Sequence, residues 1–229
     1  MNNMNIDNTV EFYFSLFKKR GIFNLFGGLE KDLESQFLDL KSNKFSDLMS
    51  PIQEFVLDIK TGISTDSYKV SWSISKAENI INRYSIKNKI VNVRDLYINY
   101  DKVSIDKNKL SDFKGTESEK FPPIIISFYR PLGEYIVIDG NHRLYEVLQR
   151  REKSVRAFVL SPFSNAFIMN EKSYKLYCFH HNLLVLSRYC KSPISFFIKN
   201  NRTLKANTYN GSYSYFSASL LDKFKILIS

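Results

Sequence analysis

The sequence predicts an α+β fold, and three observations predict it. Over residues 68–74, 122–129, 135–139 and 154–161, apolar residues alternate with polar ones or run on without a break, which is strand patterning. Over residues 7–20, 29–40 and 141–149 they recur at intervals of three and four, which is helix patterning. The clearest strands lie in the middle of the chain and most of the helix patterning lies at its two ends.

Each element has its own warrant. Asp7 stands as the cap of a first helix that carries Val10, Tyr13, Phe14 and Phe17 and stops before Gly21. Leu29, Leu33, Phe37 and Leu40 share one face of a second helix, which begins after Gly27-Gly28. Ser50-Pro51 is a cap followed by proline at a first helical position. Ile52, Phe55, Val56 and Ile59 then predict a third helix, closed by Gly62. Tyr68, Val70, Trp72 and Ile74 mark a half-buried strand. Ser75 and Glu78 match a capping box ahead of Ile80, Ile81 and Tyr84. Residues 90–98 read as a strand and a turn. PPIIISFY (122–129) reads as a buried strand that starts on prolines, which the first position of a strand tolerates. RPLGE (130–134) is a turn, and YIVID (135–139) is a strand paired back to the previous one. Leu144, Val147 and Leu148 mark a helix face, and SVRAFVLS (154–161) is a further strand. A helix starting at Asn170-Glu171 carries Tyr174, Tyr177, Cys178, His181, Leu184 and Leu186, and Asn210-Gly211 marks a later turn. Three regions result: a mainly helical 1–89, a core at 90–160, and a basic, aromatic-rich helical 161–229 packed on that core.

Composition narrows the function classes. The chain has 229 residues, 44% hydrophobic and 15% aromatic, which supports a packed core and excludes a disordered chain. No apolar run approaches the ~18 residues of a membrane span, and the N-terminus lacks signal-peptide zoning. A cytoplasmic protein without a membrane span is expected. Two cysteines, Cys178 and Cys190, do not make a disulfide framework. The net charge of +10 is uneven, because residues 161–229 hold nine basic against two acidic side chains. Lys199, Arg202 and Lys205, near Tyr209, Tyr213 and Tyr215, are therefore candidate contacts to nucleic acid. Ordinary packing of the same aromatics is the competing reading.

The stretch IVIDGNHRLYEVLQR (136–150) carries the most chemistry. A strand runs into Asp139-Gly140 and a helix follows at once. The first turn of a helix presents unpaired N–H groups and the positive end of the dipole, where phosphate binds readily. Gly140 permits close approach, Asn141 begins the turn, Arg143 is able to fork onto phosphate oxygens, and His142 adds a donor or acceptor. Asp139 would hold Mg²⁺, act as a base toward a hydroxyl, or orient Arg143 or His142.

DGNHR between strand and helix, with PPI opening a strand about 17 residues upstream, resembles the ParB/sulfiredoxin superfamily over residues 90–160. The resemblance implies a small ParB/sulfiredoxin-like α/β core that binds a nucleotide (ATP, ADP or CTP) with Mg²⁺, its phosphates on Gly140, Asn141, His142 and Arg143. Sulfiredoxins carry cysteine directly before His-Arg. Asn141 stands there, so sulfinate reduction is not implied. The partitioning proteins have a small residue where Glu146 stands. The motif is most similar to that of small kinases that phosphorylate free serine. Those kinases use a glutamate after the first strand. Asp101 is the nearest carboxylate here, with Glu117 and Glu119 behind it. Asp139 and Asp101 are then the catalytic candidates, for phosphoryl transfer to a small-molecule acceptor or for nucleotide hydrolysis. The alternative is a nucleic-acid-binding or nuclease-like protein acting through the basic C-terminal region. Cys178, His180, His181 and Cys190 lack the usual pairing of zinc ligands and read as a buried helix face.

Overall fold

The computed structural model describes residues 4–25, 28–42, 53–97 and 116–191. Helices and strands both occur, and the class is α+β. The elements are α1 (Asp7–Lys19), α2 (Ile22–Leu25), α3 (Leu29–Lys41), β1 (Glu54–Lys60), β2 (Ser67–Ser73), α4 (Ile74–Arg83), β3 (Lys89–Asn92), β4 (Leu96–Tyr97), β5 (Ile124–Tyr129), β6 (Glu134–Asp139), α5 (Asn141–Gln149), β7 (Ser154–Leu160), α6 (Asn165–Ile168) and α7 (Glu171–Lys191). No helix among the described residues is long and apolar enough to cross a membrane. Two compact units divide the chain. One contains the described residues of Met1–Leu48, Asp58–Val70 and Glu171–Ser229; the other contains those of Met49–Leu57 and Ser71–Asn170. These units cut across the three sequence regions, because 58–70 groups with the long C-terminal helix and 71–89 groups with the central strands.

In the first unit, Val10, Tyr13 and Phe17 of α1 and Leu29, Leu33 and Leu40 of α3 are buried, at the spacing the sequence shows. The cap of α1 differs from expectation. Asp7 is the first helical residue and Ile6 holds the cap position without a side-chain bond. Asp66 caps the helix from the turn between β1 and β2. It accepts from the Thr9 amide at 2.6 Å, the Thr9 hydroxyl at 2.9 Å and Asn8 Nδ2 at 2.8 Å. Helix α7 buries Tyr174, Leu176, Tyr177, Cys178, Phe179, His180, Leu183 and Leu186, a broader face than its sequence indicates, while His181 and Leu184 are only half-buried. It meets α3 through stacking of Phe37 on Phe179, centroids 6.0 Å apart, and through Lys175 on Asp39 at 2.8 Å. The Tyr68 hydroxyl lies 2.7 Å from His180 Nδ1. Burial pushes the Cys178 thiol up to about 12, with a Tyr174 contact acting the other way, and keeps it a neutral packing group.

The second unit is built on a five-stranded sheet of order β3-β7-β5-β6-β4. β3 is antiparallel to β7, β7 parallel to β5, β5 antiparallel to β6, and β6 parallel to β4. The expected β5–β6 hairpin is present, turning at Gly133 (φ +73°). Central β5 is buried on both faces, which suits its unbroken Ile124-Ile125-Ile126 run. Ile124 and Ile126 join Val137, Leu144, Val147, Val155 and Ala157 in the core under α5. Toward the other face, Ser127 donates to Asn165 Oδ1 at 2.9 Å, and Trp72 Nε1 donates to the same oxygen at 3.0 Å. Asn165 Nδ2 donates to the Phe128 carbonyl at 2.9 Å, and the Trp72 ring meets Tyr129 edge-on at 5.8 Å.

Two expectations are overturned here. Residues 54–60 form strand β1, not the helix expected over 52–59. EFVLDIK fits period two through Phe55, Leu57 and Ile59 as well as it fits helical spacing, and pairing with β2 decides between them. The cap of α4 is Ser73, whose hydroxyl accepts from the Lys76 amide at 3.3 Å, not Ser75. Three predictions follow from the buried polar groups. Burial pushes His180 down to about 4, so the folded state refuses a proton that the unfolded chain takes up below its ordinary value of ~6.5. Stability is full above pH ~6.5 and falls toward pH ~4 by an amount on the order of 3 kcal/mol; urea titrations against pH should show this, and His180→Gln should flatten it. Burial raises Asp66, but its bonds to Asn8 and Thr9 outweigh that and hold it below the usual carboxylate range. Its stabilisation is present above pH ~3.9 and is lost as pH falls through the lower folded value. Asn165→Ala leaves the Trp72 and Ser127 donors without their acceptor and should cost about 3 kcal/mol in a urea melt.

Candidate functional site

The junction expected at Asp139-Gly140 forms. β6 ends on Asp139, Gly140 takes φ +93°, and α5 starts at Asn141. Gly140 is required here twice over. Its φ lies in the left-handed region, and a Cβ would stand 2.5 Å from Ile124 Cγ2 and 2.9 Å from Arg143 Nη2. The end of β6 is therefore pressed onto the start of β5. A register shift adds to this: Ile126 pairs with Val137 but Ile125 pairs with Asp139, which leaves one extra residue on β6. Bulges of this kind re-aim the residues beside them.

Arg143 holds the junction together. Its Nη2 donates to Asp139 Oδ2 at 2.5 Å, and its Nη1 donates to the carbonyls of Pro122 and Pro123, each at 3.0 Å. Those carbonyls precede the first ladder residue, Ile124, so the guanidinium supplies donors that no neighbouring strand gives. The Arg143 and Asp139 side chains are 14% and 30% exposed, which places the pair at the edge of solvent rather than in the core. Of the three roles open to Asp139, orienting Arg143 is the one its contact displays. The two nitrogens of the fork face Asp139 and the proline carbonyls.

Asn141 turns its side-chain amide back to the Val137 carbonyl at 3.4 Å. No side chain caps α5, because the cap position is glycine. His142 is half-buried in the first turn, on the same helix end. Asp139, Gly140, His142 and Arg143 are thus brought together. Asp101, Lys199, Arg202 and Lys205 lie outside the described residues, as does Asn210-Gly211. Glu117 is exposed and pairs with Lys120 at 3.0 Å. Among the described residues no three His, Cys, Asp or Glu side chains converge as a metal-holding group.

Two further arginines belong to the same construction and escape a motif search. Arg150 pairs with Glu146 at 2.9 Å, donates to the Thr116 carbonyl at 2.6 Å and lies over the Phe121 ring at 5.1 Å. Arg156 donates to the Phe121 carbonyl at 2.6 Å. Ser118 donates to Glu152 at 2.6 Å. These contacts fasten residues 116–121, which lead into β5. The signal for Arg150 is in the sequence: Glu146 and Arg150 repeat the acid-to-arginine spacing of four seen in Asp139 and Arg143.

Set against known proteins, the chain matches no family model, no curated protein and no solved structure. Gly140→Ala combines left-handed strain with a clash on Ile124 and should destabilise the fold by about 3 kcal/mol in a denaturant melt. Arg143→Lys keeps the charge but not the fork, and should lower the melting temperature by less than Arg143→Ala does.

Proposed function

We propose that the protein is a ParB/sulfiredoxin-like nucleotide-binding protein that transfers a phosphoryl group to a small acceptor or hydrolyses the nucleotide at the DGNHR motif. One observation carries the reading: an uncapped helix of nine residues starts immediately after a glycine at φ +93°, with Asp139, His142 and Arg143 at the same end. The backbone N–H groups of Asn141 and His142 would bind phosphate oxygens, aided by the dipole of α5. Arg143 would act mainly by holding Asp139 and the start of β5 in place, since its terminal nitrogens are committed to them. His142 would add a donor at the phosphate. Asp139 would either carry a magnesium ion or accept the acceptor's hydroxyl proton, with Asp101 as a second carboxylate. A Mg²⁺-nucleotide supplies the transferable phosphoryl group, and the protein's own part is positioning and charge stabilisation.

Calorimetric titration with ATP, ADP, CTP and GTP, with and without Mg²⁺, tests this. His142→Ala leaves in place the bonds of Arg143 to Asp139, Pro122 and Pro123, so it separates binding from folding better than Arg143→Ala. It should weaken nucleotide binding at least about tenfold, near 1.4 kcal/mol, and a melting curve checks that the variant is folded. Asp139→Asn should reduce the benefit of Mg²⁺. No binding to any of the four nucleotides, or equal affinity in both variants, would overturn the reading.

A further inference from the structure

A concave site lies in the same unit, away from the DGNHR junction. On β5, Ile125 pairs with Asp139, whereas Ser127 pairs with Leu160 of β7. Ser161 therefore leaves the sheet away from the DGNHR junction. There it meets α4, and a cleft of about 530 Å³ opens between them. This volume falls within the ~300–1,000 Å³ of small-molecule sites. One wall is the stripe Lys76, Asn79, Ile80 and Arg83, spaced three, four and seven residues along α4, while Ala77 and Ile81 of that helix are buried. The opposite wall includes Phe163 and Phe167.

The chemistry of this lining is one-sided. Two cations and no carboxylate face the cleft, and neither Lys76 nor Arg83 has an ion-pair partner among the described residues. The aromatic walls are open to solvent: Phe167 is 61% exposed and Tyr84, under the Arg83 guanidinium at 5.8 Å, is 67% exposed. Apolar area of this kind, rimmed by polar groups, marks a binding surface. Seven residues of helix set the two cations about 10 Å apart along the axis. We propose that this cleft binds a small amphipathic organic anion, with its apolar or aromatic body against Ile80, Phe163 and Phe167 and its carboxylate, sulfonate or phosphate group at Lys76 or Arg83. This inference is independent of any nucleotide at DGNHR.

The full chain tests it with two fluorescent probes of one shape. Anilinonaphthalene sulfonate carries the anion, and N-phenyl-1-naphthylamine lacks it. The sulfonate should bind saturably, one per chain. The double variant Lys76→Gln, Arg83→Gln should weaken it at least tenfold and move the neutral probe less than twofold. Ile80→Asp should weaken both. The double variant Lys87→Gln, Lys89→Gln removes the same charge from exposed positions outside the cleft, and should leave sulfonate binding unchanged. Melting curves confirm that each variant is folded. Absence of saturable sulfonate binding, or equal weakening by the two double variants, would overturn the proposal.

Discussion

The second unit depends on a close approach. The turn after β6 touches the side chain of Ile124 at the start of β5, and only glycine fits between them. That contact sets where α5 begins, and so where Leu144 and Val147 fall on the sheet. It also fixes the distance over which Arg143 reaches back to two proline carbonyls and sideways to Asp139. A guanidinium suits this because its donors lie in a rigid plane and cannot lose their charge. Removing either member of the Asp139–Arg143 pair leaves the other without its ionic partner at the edge of solvent.

The arginines of this unit share a task. Arg143, Arg150 and Arg156 each donate to backbone carbonyls in residues 116–123, ahead of the β5 ladder. A chain segment outside a sheet has acceptors that must still be satisfied. Side-chain donors from α5 and β7 do this, and so hold the approach to β5 without extending the sheet. On the other face, Asn165 does similar work with one side chain, accepting from Trp72 and Ser127 and donating to Phe128. A fully buried polar network of this kind specifies one packing when every member is paired.

The first unit uses the same economy. Asp66, distant in sequence, closes the start of α1 where the local residue Ile6 has nothing to offer. His180 stays neutral against the Tyr68 hydroxyl. Both groups make stability depend on pH in the same direction, with acid destabilising, but over successive ranges. His180 acts first as pH falls from ~6.5, and Asp66 acts only below the ordinary carboxylate range.

Much of the α+β pattern was set by the sequence alone, because the signals are local. Period two and the unbroken isoleucines mark β2, β5, β6 and β7, helical spacing marks α1, α3, α5 and α7, and the Asp139-Gly140 junction follows from a strand meeting a helix. Where two periods fit equally, the sequence is silent: EFVLDIK became a strand because β2 lies beside it. Caps are local only sometimes, so Ser73 displaced Ser75 by one turn geometry and Asp66 displaced Asp7 through a contact 57 residues away in the chain. The strand order β3-β7-β5-β6-β4, the partners of Arg143 and the cleft beside α4 were decided by tertiary structure. The physical reason is common to all three. Spacing fixes which face of an element a residue occupies, but what stands opposite that face depends on pairings made far along the chain.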